Sequence, residues 1–317
     1  MKDFWTKLPR PLFVLAPMAN VTDSAFRKLI AKYGKPDVTW TEFVSADGLI
    51  SAGGKRLLVD LEYSNAERPI VAQLFTGHPA VMKKAAALVK KLKFDGLDIN
   101  MGCPDRSVEK QGGGAAMIKD PKKAIEVIEA AREGAKGLPV SVKTRLGYNK
   151  VDFDWIKIML ELKLPALTIH LRTRKEMSDV PAHWELMPAI VKLRDEISPK
   201  TLIIGNGDVE SLADGQAKIK RSGCDGVMIG RGIFGTPWLF EKKAKQRTPA
   251  ERLKVMVEHA KLFEKKFKGI KNFAIMRKHF KAYVSGWEGA KELRVKLMET
   301  EDARDVASVV KQYLDAC

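Results

Sequence analysis

Eight short runs rich in apolar and β-branched residues recur along the first 240 residues. They are Leu12–Met18, Val38–Val44, Ile70–Thr76 and Gly96–Gly102, then Val140–Leu146, Ala166–Arg172, Leu202–Asp208 and Gly226–Gly232. Their starts lie 24 to 44 residues apart. Most of the intervening stretches carry apolar residues at helical spacing, as at 80–92 and 122–134. Near-continuous apolar strands alternating with amphipathic helices predict a parallel sheet covered on its faces. Eight such units predict an α/β protein whose sheet closes into a (β/α)8 TIM barrel. A doubly wound open sheet is the other arrangement this alternation allows.

After Pro237 the strand-like runs stop. Segments 250–267, 274–287 and 307–317 keep only the three-to-four spacing of helices, and Pro249 suits a helix start. The expected organisation is a catalytic barrel over 1–244 and a small C-terminal helical domain over 245–317.

Polar residues interrupt the apolar strands near their ends: Glu42, Gln73, Asn100, Cys103, Lys143, Arg145, His170, Arg172, Asn206, Asp208 and Arg231. A polar side chain inside an apolar strand costs free energy unless it is paired. Barrel active sites lie at the C-terminal ends of the strands, so the pattern points to a site there. Gly205-Asn206-Gly207-Asp208 and Gly230-Arg231-Gly232 would follow strands 7 and 8, where barrels often hold phosphate. Glycine permits close approach of the backbone, and arginine adds a bidentate charge. Residues 230–235 also spell GxGxxG, but after the last strand, which argues against a Rossmann fingerprint while keeping a phosphate site.

Lys143, between Val142 and Thr144, is expected inside the barrel. There a lysine needs an anionic partner or a lowered pKa, which fits either an anionic cofactor ring or a Schiff base. Cys103 lies between Gly102 and Pro104 on a predicted tight loop beside Asn100. It reads as a reactive proton donor, with a buried structural thiol as the alternative. Cys224 reads as core, and Cys317 attracts no role.

Composition narrows the class. The chain has 317 residues, 45% apolar and 30% charged, as in a folded globular protein rather than a disordered one. Three cysteines without a CxxC pair argue against a disulfide framework or a metal site and fit a reducing cytosol. No uncharged run reaches 18 residues and no secretory signal is visible, so no membrane span is expected, and a cytoplasmic monomer is the default. The 56 Lys+Arg against 39 Asp+Glu give a net charge of +17, which invites a polyanion such as nucleic acid. The excess is clustered: Lys261–Lys281 holds eight basic residues and one acid.

Segments 15–27, 41–49, 98–104, 112–117, 140–148, 168–174, 205–209 and 228–240 together resemble the tRNA-dihydrouridine synthases, in family order. Their signatures here include LAPMANVTDSAFR, DINMGCP, VSVKTRLGY, TIHLRTR and GNGDV. Arg277-Lys278-His279 is similar to the bacterial B-type branch. The resemblance implies an FMN-holding barrel, NADPH as reductant, tRNA as substrate and a helical domain that helps grip it. It places Pro17, Met18, Ala19, Gln73, Lys143 and His170 at the flavin. Asn206, Gly207, Asp208, Gly230 and Arg231 would complete the site at the ribityl-phosphate end. Cys103 matches the proton donor and Asn100 a neighbour of the uracil. Glu42, Arg145, Arg172, Arg277 and Lys278 are expected on the substrate side. Two residues depart from the family pattern: Leu171 stands where glycine is usual, adding bulk beside His170, and His183 precedes Trp184 where an acid is usual.

Other functions share parts of these features. An FMN barrel reductase of a small pyrimidine or enoate would need no basic tail. A tRNA-binding or tRNA-folding protein would not depend on Cys103. An aldolase-type barrel would use Lys143 as a Schiff base.

Overall fold

The computed structural model describes residues 3–243 and 245–316, so Cys317 lies outside the described residues. The chain begins β1 (Leu12–Leu15), α1 (Ser24–Tyr33), β2 (Thr39–Ser45), α2 (Ala46–Ile50), β3 (Ile70–Phe75), α3 (Pro79–Lys91). It continues β4 (Gly96–Met101), α4 (Arg106–Lys110), α5 (Pro121–Ala135), β5 (Val140–Arg145), α6 (Phe153–Glu161), β6 (Ala166–His170). Then come α7 (Met187–Ile197), β7 (Leu202–Asn206), α8 (Leu212–Ser222) and β8 (Gly226–Ile229). The rest is helical: α9 (Pro249–Phe267), α10 (Arg277–Tyr283), α11 (Ala290–Met298) and α12 (Ala303–Asp315).

All eight predicted strands form, and every neighbouring pair is parallel. The sheet runs β1-β8-β7-β6-β5-β4-β3-β2. A parallel bridge Val14↔Val38, with Leu15 N–H donating to Val38 O and Asp37 N–H to Phe13 O, joins the two ends. The doubly wound alternative is thereby excluded, since an open sheet has no such closure.

Alternation along each strand decides what faces inward. Val14, Trp40, Val71, Ile204 and Met228 fill the lower interior with Trp5, whose ring lies 5.8 Å from that of Trp40. Above this apolar layer the inward positions turn polar. Register then aligns them: Gln73 pairs with Asp98, Asn100 with Lys143, Arg145 with His170, and His170 with Asn206. A register shift between Trp40 and Phe43 re-aims β2, and Glu42 accepts the Asn20 N–H.

The chain divides into two compact units. One holds the segment up to Thr22 and Pro36–Arg231; the other holds Asp23–Lys35 and everything from Gly232 onward. The helical unit therefore starts before the expected residue 245 and includes α1, which sequence order assigns to the barrel. Packing explains this: Phe26 of α1 stacks on His259 of α9 at 4.6 Å and meets His279 edge-on at 4.8 Å. Within this unit α9 begins at Pro249, where Thr248 and Glu251 form a capping box. The segment expected as one helix over 274–287 is a short 3-10 turn followed by α10, which ends at Tyr283. Among the described residues, no helix is long and apolar enough to cross a membrane.

Candidate active site

The strand ends of the barrel unit collect the predicted polar residues, and a chain of hydrogen bonds links several of them. Ser141 Oγ donates to Asp98 Oδ1 at 2.5 Å, and Gln73 Nε2 donates to Asp98 Oδ2 at 2.7 Å. Asn100 Nδ2 donates to Gln73 Oε1 at 3.2 Å. Asn100 Oδ1 in turn accepts the N–H groups of Gly102 (3.1 Å) and Cys103 (2.9 Å). Asn100 is thus an anchor for the loop after β4. The Cys103 carbonyl accepts from Ala115 N, which fixes the loop on its other side.

Cys103 is partly accessible, whereas Cys224 is buried as expected. Burial pushes the Cys103 thiol up, against the lowering influence of Lys143 and Arg145. It is therefore a protonated thiol at neutral pH, suited to give a proton rather than to attack.

Lys143 does lie inside the barrel. Its amine is lowered to about 8, first by burial and then by Arg145, against the raising influence of Asp98 and Cys103. Lys143 forms no hydrogen bond or ion pair among the described residues, although Asp98 is close enough to act on it. His170 is held well below its ordinary value by burial and by the cations Lys143, Arg145, Arg172 and Arg231. It is neutral, and since Arg172 can only donate, the 3.1 Å contact makes His170 Nε2 the acceptor. The ring proton is thereby assigned to Nδ1.

The loops after β7 and β8 meet through Asp208. Its carboxylate accepts from Arg172 (2.5 Å), Arg231 (2.6 Å) and the Ala182 N–H (2.9 Å). Asn206 Nδ2 donates to Met228 O, tying β7 to β8. Gly207 has φ +124°, and a Cβ there would lie 2.7 Å from Ala182 Cβ. Gly230 has Ala16 Cβ and Met18 Sδ as its near neighbours, each 3.6 Å from the position of a Cβ. The turn after β1 is held by Thr22 Oγ, which accepts the Met18 N–H at 2.9 Å.

Two predicted substrate residues take a different place. Arg145 is 5% exposed and Arg172 is 2% exposed. Arg145 donates to the carbonyls of Gly102, Thr173 and Met177; Arg172 donates to Val180 O, His170 and Asp208. Their donors brace the loops after β4 and β6 instead of reaching outward. Arg277 and Lys278 belong to the helical unit, at the start of α10. Leu171 is fully buried, with its N–H on Asn206 O and its carbonyl accepting from His183 N. His183 sits between Glu176 (3.0 Å) and Glu185 (2.9 Å), whose hydrogen bonds raise its pKa.

Sequence reading missed Asp98, Ser141 and the supporting role of Trp184. Asp98 carried a visible signal, an acid in the centre of the apolar run Gly96–Gly102. Trp184 Nε1 donates to Gly207 O at 2.8 Å, and its ring covers Gly205, where a Cβ would lie 2.5 Å from Cη2. Gly205→Ala is therefore expected to displace Trp184 and lose about 1–3 kcal/mol of stability through overpacking, measurable by denaturant unfolding.

The dihydrouridine synthase (Dus) family matches residues 14–317. A probable tRNA-dihydrouridine synthase of Staphylococcus aureus is 43% identical over 98% of this chain and 96% of its own length. The probable tRNA-dihydrouridine synthase 2 of Bacillus subtilis is 42% identical over 99% and 98%. Among solved structures, morphinone reductase aligns with a TM-score of 0.50 and 13% identity over 77% of this chain and 90% of its own. Histamine dehydrogenase from Rhizobium aligns with 0.53 and 14% over 79% and 48%. These two likenesses concern the fold.

Proposed function

The chain belongs to the dihydrouridine synthase family, and from that premise we propose that it reduces uridines in tRNA to 5,6-dihydrouridine, using bound FMN and electrons from NADPH. The observation that carries the reading is the pairing of a protonated Cys103 thiol with a cationic, glycine-lined cradle at the same strand ends.

The residues present fit a flavin mononucleotide. Lys143 is a cation without a hydrogen-bonded partner among the described residues, the environment an anionic ring would complete. His170 offers an Nδ1–H. Arg231 uses only one NH2 donor on Asp208, which leaves other donors for a phosphate at Gly207 and Gly230. Pro17, Met18, Ala19, Gln73, Asn206 and Asp208 would complete the holding set. FMN held there would supply the hydride chemistry needed at C6 of the uracil. Cys103 gives its proton to C5, so the C5–C6 double bond becomes single and a thiolate remains. Lys143 and Arg145 then face that thiolate, stabilising it until water returns the proton. Asn100 holds the backbone of Cys103 during the transfer. Arg145 and Arg172 keep the surrounding loops in place, and Glu42 holds the turn after β1.

The base must leave its stack to reach the strand ends, at a cost of a few kcal/mol that backbone contacts offset. The helical unit is suited to supply them. Lys261, Lys265, Lys268, Arg277 and Lys281 are exposed, and Lys278 lies beside Arg277. Lys261, Lys265, Lys268 and Arg304 line a cleft of about 310 Å³. Replacing Lys261, Lys265 and Lys268 together by alanine is expected to weaken tRNA binding and reduce its logarithmic salt slope by about 1 per lost phosphate contact. Binding titrations across salt concentrations check this. The reaction belongs in the cytoplasm, where tRNA is, and needs only one copy of the chain.

The direct test is to map dihydrouridine in tRNA from cells lacking this protein and again after restoring it. Unchanged dihydrouridine in both would refute the activity. Purified protein without flavin absorbance would refute the cofactor.

A further inference from the structure

The polar chain inside the barrel has a direction, set at its buried end by one side chain and at its outer end by the loop N–H groups of Gly102 and Cys103. A glutamine or asparagine amide can be turned over with almost no change in shape, so its orientation must be dictated by a neighbour that can only accept or only donate. Asp98 is that neighbour here. It lies in the middle of β4, fully buried between Leu97 and Ile99. As a carboxylate it only accepts, so Gln73 must turn its NH2 toward Asp98 and its oxygen toward Asn100. Asn100 must then give its NH2 to Gln73 and its oxygen to the loop after β4. That oxygen is what both loop N–H groups, Gly102 and Cys103, require. Turning Asn100 over would set its NH2 against the N–H groups of Gly102 and Cys103, and turning Gln73 over would set its oxygen against Asp98 and its NH2 against that of Asn100.

We propose that Asp98 is a positioning residue for Cys103, fixing the loop through the Gln73 and Asn100 amides. The assignment rests on the proton transfer attributed to Cys103 above. Asp98 touches neither substrate nor cofactor in this role; it acts through two side chains. Its surroundings suit the task. Lys143 of β5 is the charged group facing it, with Gln73 of β3, Ser141 of β5 and Trp40 of β2 as polar neighbours. Burial pushes the carboxyl up to about 6, opposed by Ser141, Gln73 and Lys143, so it is ionised at neutral pH. Below that value it takes a proton and can donate, and the chain is no longer held from its Asp98 end.

Asp98→Asn preserves size but presents an oxygen or an NH2 equally well. In the full-length, flavin-loaded protein, dihydrouridine formation in a single turnover should fall about 10²-fold, the scale of a misplaced reacting group. The KM for tRNA should stay unchanged, and the loss of activity expected of wild type below pH 6 should be absent from the variant. Alkylation of Cys103 by iodoacetamide, followed on its own peptide by mass spectrometry, should change severalfold. The melting temperature should not drop. Asp98 has its pKa raised on folding, so ionising it costs stability as pH rises from 3.8 to about 6, a cost asparagine does not carry.

Ser141→Ala is the companion variant. It removes one donor to Asp98 but leaves the direction of the chain intact, so it should lose far less activity than Asp98→Asn. Equal losses in the two variants would overturn the proposal in favour of simple packing. So would unchanged turnover in Asp98→Asn, or slowed turnover with unaltered Cys103 alkylation. Should wild type itself make no dihydrouridine, the family-based activity fails, and the alkylation comparison still decides whether Asp98 positions Cys103.

Discussion

Cys103→Ala is expected to lower dihydrouridine formation by about 10²–10⁴-fold, the usual contribution of a positioned acid, while tRNA binding stays near wild type. The substitution removes one sulfur atom and nothing that holds the loop. Asn100 would still accept the N–H groups of residues 102 and 103, and Ala115 would still donate to the carbonyl of residue 103. What disappears is the thiol that burial keeps protonated and the thiolate that Lys143 and Arg145 would stabilise. Mass spectrometric counting of dihydrouridine in tRNA, with filter binding on the same preparation, separates chemistry from recognition. Turnover equal to wild type would refute the proton-donor role.

Asp208→Ala should be the most destabilising single change at the site. Three donors lose their acceptor at once: Arg172, Arg231 and the Ala182 N–H. Arg172 is 2% exposed and would keep a buried, partly unpaired guanidinium. Breaking a buried ion pair typically costs 3–5 kcal/mol; the expected loss is about 3 kcal/mol, because the Asp208 side chain is itself 32% exposed. The same guanidinium fixes His170 Nε2, so flavin retention should fall as well. The pH dependence has a definite sign. Burial would raise the Asp208 carboxyl, but Arg172 and the Ala182 N–H hold it below its ordinary value. Its stabilisation is present above the ordinary carboxylate range and is lost as pH falls through the folded value. Melting curves of wild type and variant should therefore differ at neutral pH and converge in strong acid. Equal stability at neutral pH would show that Arg172 finds another acceptor.

Local pattern was enough for much of this. The eight strands stand where the apolar runs predict them, because a strand buried on both faces must be apolar throughout. Pro249 starts α9 because proline at the first helical position loses no hydrogen bond. The polar residues at the strand ends were visible because each breaks an apolar run.

Other features were not local. Arg145 and Arg172 carry the charge expected of groups that reach a substrate, yet their donors end on carbonyls and on Asp208. Only packing reveals which acceptors surround a guanidinium. Leu171 was expected to add bulk beside His170, and the packing after β6 buries it completely. His279 belongs to a basic triplet, and the fold puts it in an apolar core against Phe26 and His259, where burial lowers it to about 3.

The sequence by itself determined the eight strands, their alternation with helices and which residue types gather at the strand ends, since these follow from the period of burial along the chain, while closure of the sheet into a barrel was decided by the Val14–Val38 pairing. The tertiary structure alone decided that α1 belongs to the helical unit and that Asp98 faces Gln73. It also decided that Asp208 unites two arginines. Each of these is a pairing between residues distant in sequence, set by register and closure, and no local period encodes the partner across a gap of 23 residues or more.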